Sequence, residues 1–138
     1  MKLYLKMGIA ILSIYILTMA VVYLLQDKLI FQSTKLSSNY EFNFNQPFNE
    51  YTLKTADNEQ LNLLLFKTNI SQARGIIIYF HGNAGNLNRW GKYAVDFTSL
   101  RYDVLMVEYR GYGKSTGTPT EEVLYSDSKF IMKSWKNF

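Results

Sequence analysis

The apolar residues of this chain form one long run, four short runs and two helical stripes. The long run, Met7 to Gln26, carries no charged side chain. A helix of this length spans about 30 Å, which matches the hydrocarbon core of a bilayer. Lys2 and Lys6 precede the run, which has no polar face to meet water. We therefore interpret residues 1–26 as an N-terminal membrane anchor with its span at about 7–26.

A cleaved signal peptide is the alternative for this segment. Thr18–Ala20 is a passable small-residue cleavage site, but the apolar run continues beyond it to Leu25, which favours an uncleaved signal-anchor. The terminal amine and two lysines before the span slightly outweigh Lys28 and Lys35 after it. By the positive-inside rule we expect a single-pass membrane protein with its soluble part outside the cytoplasm.

The region after the anchor predicts a linker and then a β-hairpin. Residues 27–50 are polar, aperiodic and rich in Asn, Gln and Ser, which indicates a juxtamembrane linker. Its few apolar residues nevertheless suggest that it packs in places: Leu29, Ile30, Phe31, Phe42, Phe44 and Phe48. Tyr51–Thr55 and Leu61–Lys67 are strand-like runs separated by turn residues, which is typical of a hairpin. Gly75–Phe80 then reads GIIIYF and has no polar alternation. A strand that is apolar on both faces is most simply a central strand of a parallel sheet.

The remaining sequence predicts a βαβ unit and a final helix. Asn86 can cap a helix with one apolar stripe, and Asp103–Tyr109 follows as a second buried strand. The stripe consists of Leu87, Trp90, Ala94, Phe97 and Leu100. Thr118–Glu121 reads TPTE, a capping box with proline at the first helical position, and the helix runs to Trp135. Residues 51–138 are therefore predicted to be an α/β domain with a right-handed crossover.

Composition narrows the classes of function. The chain has no cysteine, which removes disulfides, thiolate metal sites and a cysteine nucleophile. Its net charge of +4 comes from basic residues scattered singly along the chain, unlike the basic patches of nucleic-acid binders. No cluster of metal-ligating residues is apparent in the sequence. We expect no nucleic acid, no metal and no cofactor.

The glycine-rich stretch after the second buried strand contains two patterns that suggest chemistry. Gly113–Gly117 fits G-x-S-x-G, but a nucleophile elbow needs the strand to run straight into the serine. Here the strand ends near Tyr109, well before Ser115, and the chain offers Ser115 no base, because its only histidine is His81. Ser115 is therefore not expected to be a nucleophile.

The same stretch ends in Gly-Lys-Ser, as a phosphate-binding loop does. That motif needs a glycine where this chain has Glu108, whose carboxylate would repel phosphate. We interpret the stretch as a Gly-rich connection. His81 is interpreted as a hydrogen-bonded structural residue with no obvious acidic partner, and Asp127 as a candidate buried carboxylate.

Two motifs, HGNAGN at 81–86 and YRGYGKS at 109–115, each follow an apolar strand. In this order they resemble the α/β-hydrolase fold superfamily, most closely its membrane-anchored serine hydrolase branch with the depalmitoylase relatives. The sequence QDKLIF at 26–31, directly after the anchor, is also similar to that branch. The resemblance covers the whole chain but only the first half of such a protein.

This resemblance implies a site. The backbone N–H of Asn83 would donate to the oxyanion of a tetrahedral intermediate, while His81, Gly82 and Gly85 shape the turn. In the family, the strand with the nucleophilic serine follows the helix that ends here near Trp135, and the acid and catalytic histidine come later still. The strand Ile76–Phe80 would then lie at an open, aggregation-prone edge of the sheet.

The sequence therefore predicts an N-terminal fragment of a membrane-anchored α/β-hydrolase, of the ester, thioester or peptide hydrolase class. It carries the oxyanion-hole loop but lacks nucleophile, acid and histidine, so we expect it to be inactive alone. Its expected partners are the lipid bilayer, through the N-terminal helix, and a small-molecule acyl substrate only if the full domain exists. The alternatives are a membrane-tethered, non-catalytic interaction module that uses the open edge and a minimal esterase that uses Ser115.

Overall fold

The protein is described by a computed structural model over residues 2–70 and 72–137. Met1, Ser71 and Phe138 lie outside the described residues. Ser71 falls in the stretch 71–74, which the sequence suggests is the connection into the strand Gly75–Phe80. The chain divides into two compact units, one that ends at Ile30 and one that begins at Phe31.

The first unit is a single helix, α1, over Lys2–Ile30. Its 29 residues correspond to about 43 Å of helix. Its side chains from Met7 to Gln26 are uncharged and mostly apolar, and α1 contains no buried residue. By length and composition α1 can cross a membrane, as the sequence predicts for 7–26.

The described residues of the second unit include six strands, and four of these form a mixed sheet. The strands are β1 (Gln32–Ser33), β2 (Phe48–Lys54), β3 (Gln60–Phe66), β4 (Gly75–Phe80), β5 (Ala84–Gly85) and β6 (Tyr102–Val107). The sheet order is β2-β3-β6-β4, and the short β1 and β5 pair separately in parallel. β2 and β3 form the predicted antiparallel hairpin, which begins at Phe48. β4 and β6 are parallel neighbours, which confirms the βαβ unit.

The connection between β4 and β6 is three short helical pieces instead of one helix. They are α2 (Leu87–Trp90), a 3-10 turn (Gly91–Tyr93) and α3 (Ala94–Thr98). The predicted cap is confirmed, since the Asn86 side chain accepts from the N–H of Asn88 at 3.0 Å. The Phe44 ring lies so close to Gly91 that a Cβ there would sit 2.3 Å from it. The Phe44 ring thus packs directly against the backbone at Gly91, where the α-helical geometry is interrupted by the 3-10 turn.

The final helix, α4, spans Glu121–Ser134, and a 3-10 turn over Trp135–Asn137 follows it. Its cap is Thr120, whose hydroxyl accepts from the N–H of Val123. The predicted start at Pro119 with Thr118 as cap is therefore two residues too early. Thr120 has extended backbone angles, so the helix begins only after it.

Side chains from both faces of β3 and β6 form the core. One cluster contains Phe42, Leu64, Phe66, Leu87, Ala94, Val104 and Met106. The other contains Leu61, Leu63, Leu65, Leu105, Val107 and Ile131. Because successive strand residues point to opposite faces, the unbroken apolar runs of β3 and β6 fill both layers.

The predicted linker, 27–50, is not separate from these elements. Residues 27–30 end α1, and Phe31 onward belongs to the compact unit. Phe42 is 8% exposed and contacts the rings of Phe44 and Phe48. The aromatic residues of the segment therefore do pack, as their presence among Asn and Gln suggested.

The apolar strand β4 lies at an edge of the sheet. It pairs with β6, and among the described residues no strand pairs with its other side. Its isoleucines and Tyr79 are half-buried, and Phe80 is 36% exposed. The apolar composition predicted a central strand, whereas the resemblance implied this edge position.

We predict that Phe42→Ala lowers the free energy of unfolding of the second unit by about 3–5 kcal/mol, because it leaves a cavity among packed rings. Leu100→Ala, at a side chain that is 60% exposed, is the control. Denaturant unfolding followed by tryptophan fluorescence measures both. If both variants cost the same small amount, residues 31–50 act as the linker that the sequence suggested.

Candidate active site

Two loops meet at the carboxyl edge of the parallel strands. Residues 81–86 follow β4, and residues 108–117 follow β6. Because β4 and β6 are parallel neighbours, their loops leave the sheet on the same side. The two sequence motifs therefore lie next to each other in the structure.

The segment just after α1 is bonded to both loops. The N–H of Gln32 donates to Asn83 O at 3.0 Å, and the N–H of Thr34 donates to Gly85 O at 3.3 Å. On the other side, the N–H of Gly113 donates to Thr34 O at 3.0 Å. These are backbone contacts, so no side-chain pattern in the sequence could have revealed them.

His81 and Glu108 form a buried pair that joins the two motifs. His81 Nε2 lies 3.0 Å from Glu108 Oε1, and both side chains are fully buried. The other carboxylate oxygen, Oε2, accepts from the N–H of Leu87 at 2.9 Å. The interpretation of His81 as a histidine without an acidic partner is therefore wrong. The sequence feature that could have indicated this pair is Glu108, a glutamate directly after the apolar strand β6.

Gly113 makes room for this carboxylate. Its φ is +46°, and a Cβ at this position would lie 2.0 Å from Glu108 Oε2. Glycine alone avoids both the left-handed strain and the collision. Gly113 thus serves the packing of Glu108.

Aromatic rings surround His81. The rings of Tyr109, Tyr112 and Trp90 have centroids 4.4, 5.5 and 6.1 Å from the imidazole. Tyr109 Oη donates to His81 O at 2.5 Å, and Tyr112 Oη donates to Asn83 O at 2.8 Å. Burial raises the pKa of Tyr109 to about 12 and also raises the pKa of Tyr112. Both hydroxyls therefore remain protonated donors at neutral pH.

The predicted oxyanion residues lie in this region. The Asn83 carbonyl accepts from the N–H of Gln32 and from Tyr112 Oη, so the peptide after Asn83 is held from two sides. Gly82 lies against the Trp90 ring, where a Cβ would come within 3.0 Å. Gly85 has a φ of +89°. The role of Asn83 as an oxyanion donor stays a prediction.

Ser115 has a buried hydroxyl that makes two hydrogen bonds. Its Oγ accepts from the N–H of Asn62 at 2.9 Å and donates to Glu108 O at 3.0 Å. The residue is 1% exposed. The ring nitrogens of His81 face Gly82 O and Glu108 instead of this hydroxyl. Ser115 thus connects β3 to the residue after β6.

Arg110 joins the second loop to two other elements. Its guanidinium donates to Asp127 of α4 through Nε at 2.7 Å and Nη2 at 2.8 Å, and it also pairs with Asp57 in the hairpin turn. These hydrogen bonds lower the pKa of Asp57 and raise that of Arg110. The sequence singled out Asp127 as a candidate buried carboxylate, and it is buried and paired here. Its role is structural.

The chemistry of this region is that of fixed hydrogen-bond donors. Among residues 2–70 and 72–137, no group of three His, Cys, Asp or Glu residues could hold a metal ion. The polar groups described above instead fix the backbone of the 81–86 loop. Preorganised backbone donors are what a developing negative charge requires.

We predict that alkali weakens the fold through Tyr109. Unfolded Tyr109 releases its proton near pH 10, whereas the folded protein retains it up to about pH 12. The folded state thus binds more protons in this interval, so its stabilisation is complete below pH 10 and is lost as pH rises to 12. Denaturant unfolding at several pH values measures this slope.

In this experiment Tyr109→Phe makes the slope between pH 10 and 12 shallower, while Tyr125→Phe, at a residue that is 64% exposed, does not. Equal slopes in wild type and Tyr109→Phe would contradict the assignment.

No protein-family profile matches the chain. The fission-yeast protein bem46 (Schizosaccharomyces pombe) is 32% identical over 133 residues, which cover 91% of this chain and 44% of bem46. The zebrafish (Danio rerio) lysophosphatidylserine lipase ABHD12 is 36% identical over 70 residues, 48% of this chain and 18% of the lipase. The chain thus spans less than half the length of these curated relatives.

A solved α/β-hydrolase from Vibrio vulnificus has the same fold. It superposes with a TM-score of 0.51 at 21% identity and covers 62% of this chain and 28% of that structure. The sheet order, the βαβ unit and the paired loops agree with these likenesses. The chain therefore has the α/β-hydrolase fold.

Proposed function

We propose that these residues are the oxyanion-loop portion of a membrane-anchored acyl hydrolase and do not hydrolyse substrates by themselves. Asn83 supplies one backbone N–H to the oxyanion, and the nucleophilic serine, its histidine base and the acid come from outside these 138 residues. The position of the 81–86 loop supports this proposal most directly. It follows β4 and leads into α2, and in this fold a loop of that kind provides one of the two oxyanion donors.

The single histidine supports the second half of the proposal. A serine nucleophile needs a base within hydrogen-bond reach, and His81 is the only histidine of the chain. Its two ring nitrogens are engaged with Gly82 O and Glu108. The Ser115 hydroxyl is likewise engaged with Asn62 and Glu108. Neither group is available to the other.

The membrane setting and the substrate class complete this proposal. α1 anchors the protein in the bilayer, with the soluble part outside the cytoplasm, as the charges around the span favour. Esters, thioesters and peptides all pass through a tetrahedral oxyanion, and the same donor serves each of them. The name of the relative ABHD12, a lysophosphatidylserine lipase, favours a lipid ester among these substrates.

The edge position of β4 favours a second candidate, a membrane-tethered interaction module. The strand is apolar and half-exposed, and the described residues leave its outer side unpaired. Such an edge is suited to accept a strand from another polypeptide. A stoichiometric partner that co-purifies with the chain supports this candidate, and a folded monomer in detergent contradicts it.

One assay of ester hydrolysis tests the hydrolase proposal in two proteins. In the first, the 138-residue chain alone, we expect no turnover. In the second, this chain replaces the matched segment of bem46, and we expect turnover that depends on the Asn83 N–H. Asn83→Pro removes this N–H and lowers kcat by about 10²–10³-fold, which is typical of a lost oxyanion donor.

Asn83→Ala is the matched control, because it removes the side chain and keeps the N–H. Equal activity of the two chimera variants would exclude Asn83 as the donor. Turnover by the chain alone that Ser115→Ala abolishes would instead establish the minimal esterase.

A further inference from the structure

The contacts of His81 specify where its protons lie. Nδ1 is 2.7 Å from the backbone oxygen of Gly82, and Nε2 is 3.0 Å from Glu108 Oε1. A carbonyl oxygen accepts and does not donate, and an ionised carboxylate also only accepts. A neutral imidazole has a single N–H, so it satisfies one of these contacts and sets two lone pairs against each other at the second.

Each carboxylate oxygen of Glu108 has one partner. Oε2 receives the N–H of Leu87, and Oε1 faces the imidazole. The side chains of His81 and Glu108 are completely shielded from water. A buried carboxylate needs a compensating cation, and the imidazole is in the position to provide it. The other rings packed on His81, those of Tyr109, Tyr112 and Trp90, carry no charge at neutral pH.

The proton on Nδ1 has a consequence for the loop. Gly82 O and the N–H of Asn83 belong to the same planar peptide group, and in a trans peptide they point in opposite directions. A hydrogen bond that draws Gly82 O towards the imidazole therefore turns the Asn83 N–H away from it. The next peptide is fixed separately, because Asn83 O accepts from Gln32 and Tyr112.

We propose that His81 is a doubly protonated positioning residue, which Glu108 keeps in the imidazolium form and which orients the Gly82–Asn83 peptide. Glu108 acts through His81, and Gly113 leaves the space that Glu108 occupies. The loops after β4 and β6 thus act together, because Glu108 at the start of the second loop sets the number of protons on His81 in the first. The positioning of an oxyanion donor rests on the proposed function, whereas the protonation of His81 does not.

Nitrogen-15 NMR of the full chain in detergent micelles tests this directly. The chain has one histidine, so its two ring nitrogens give the only imidazole signals. At pH 7 we expect both ring nitrogens to be protonated. In Glu108→Gln the amide oxygen can still accept from Leu87, while the amide NH₂ donates to Nε2. We then expect one of the two ring protons to be lost, with Nδ1–H retained.

Glu41→Gln, the same change at an exposed glutamate, is the control and leaves both ring protons in place. A neutral imidazole in the wild type at pH 7 would overturn the protonation, and this reading needs no variant to fold. The backbone amide signal of Asn83 in His81→Phe tests the positioning role, because this variant keeps a ring and removes the Nδ1–H that bonds to Gly82 O. We expect the Asn83 signal to shift more in His81→Phe than in Glu108→Gln, which retains Nδ1–H, and to stay unchanged in Glu41→Gln. An unchanged Asn83 signal in a folded His81→Phe would overturn the positioning role.

The protonation state of His81 is measured without any assay of hydrolysis, so it can be decided separately from the proposed function. If the Asn83 variants of the chimera are equally active while the imidazole is doubly protonated, the proposed function fails and the buried ion pair stands. If the imidazole is neutral while Asn83→Pro abolishes activity, the reverse holds.

Discussion

The buried contact between His81 and Glu108 is the interaction on which the candidate site depends. It joins the loop after β4 to the loop after β6, and the carboxylate also receives the N–H of Leu87 at the start of α2. Removal of either partner leaves a polar group without compensation where water cannot reach. Gly113 leaves room for the Glu108 carboxylate. The rings of Tyr109 and Tyr112 pack against His81, the other partner of the same contact.

The sheet supports this arrangement from below. β3 and β6 are buried on both faces, so the end of β6 is a rigid base for Glu108. β4 is held by β6 on one side and is half-exposed elsewhere. The loop that carries Asn83 therefore follows the less protected strand. Its backbone bonds to Gln32 and Thr34, together with the His81–Glu108 contact, supply the restraint that the sheet edge does not.

Periodic patterns made the hairpin, the βαβ unit and the long N-terminal helix predictable, because burial on one or both faces leaves a repeat in the sequence. The single aromatic residues after α1 indicated that this segment packs in places, although without a repeat they did not show that Phe42 joins the core. The backbone bonds of Gln32 were not predictable, since peptide groups leave no pattern in the sequence. The partnership of His81 with Glu108 was missed for a related reason. The two residues are 27 positions apart, and only the parallel register of β4 and β6 brings them together. Two threonines, Thr118 and Thr120, flank Pro119 and can each cap a helix. The capping-box pattern favoured Thr118, whereas Thr120 is the cap in the structure.

A double-mutant cycle tests most directly whether the contact between His81 and Glu108 holds the two loops together. The free energy of unfolding is measured for wild type, His81→Leu, Glu108→Leu and the double variant. Each single change leaves one buried partner uncompensated and costs about 3–5 kcal/mol. We predict that the double variant costs clearly less than the sum of the two singles. Additive losses would show that the residues contribute independently and would contradict the account.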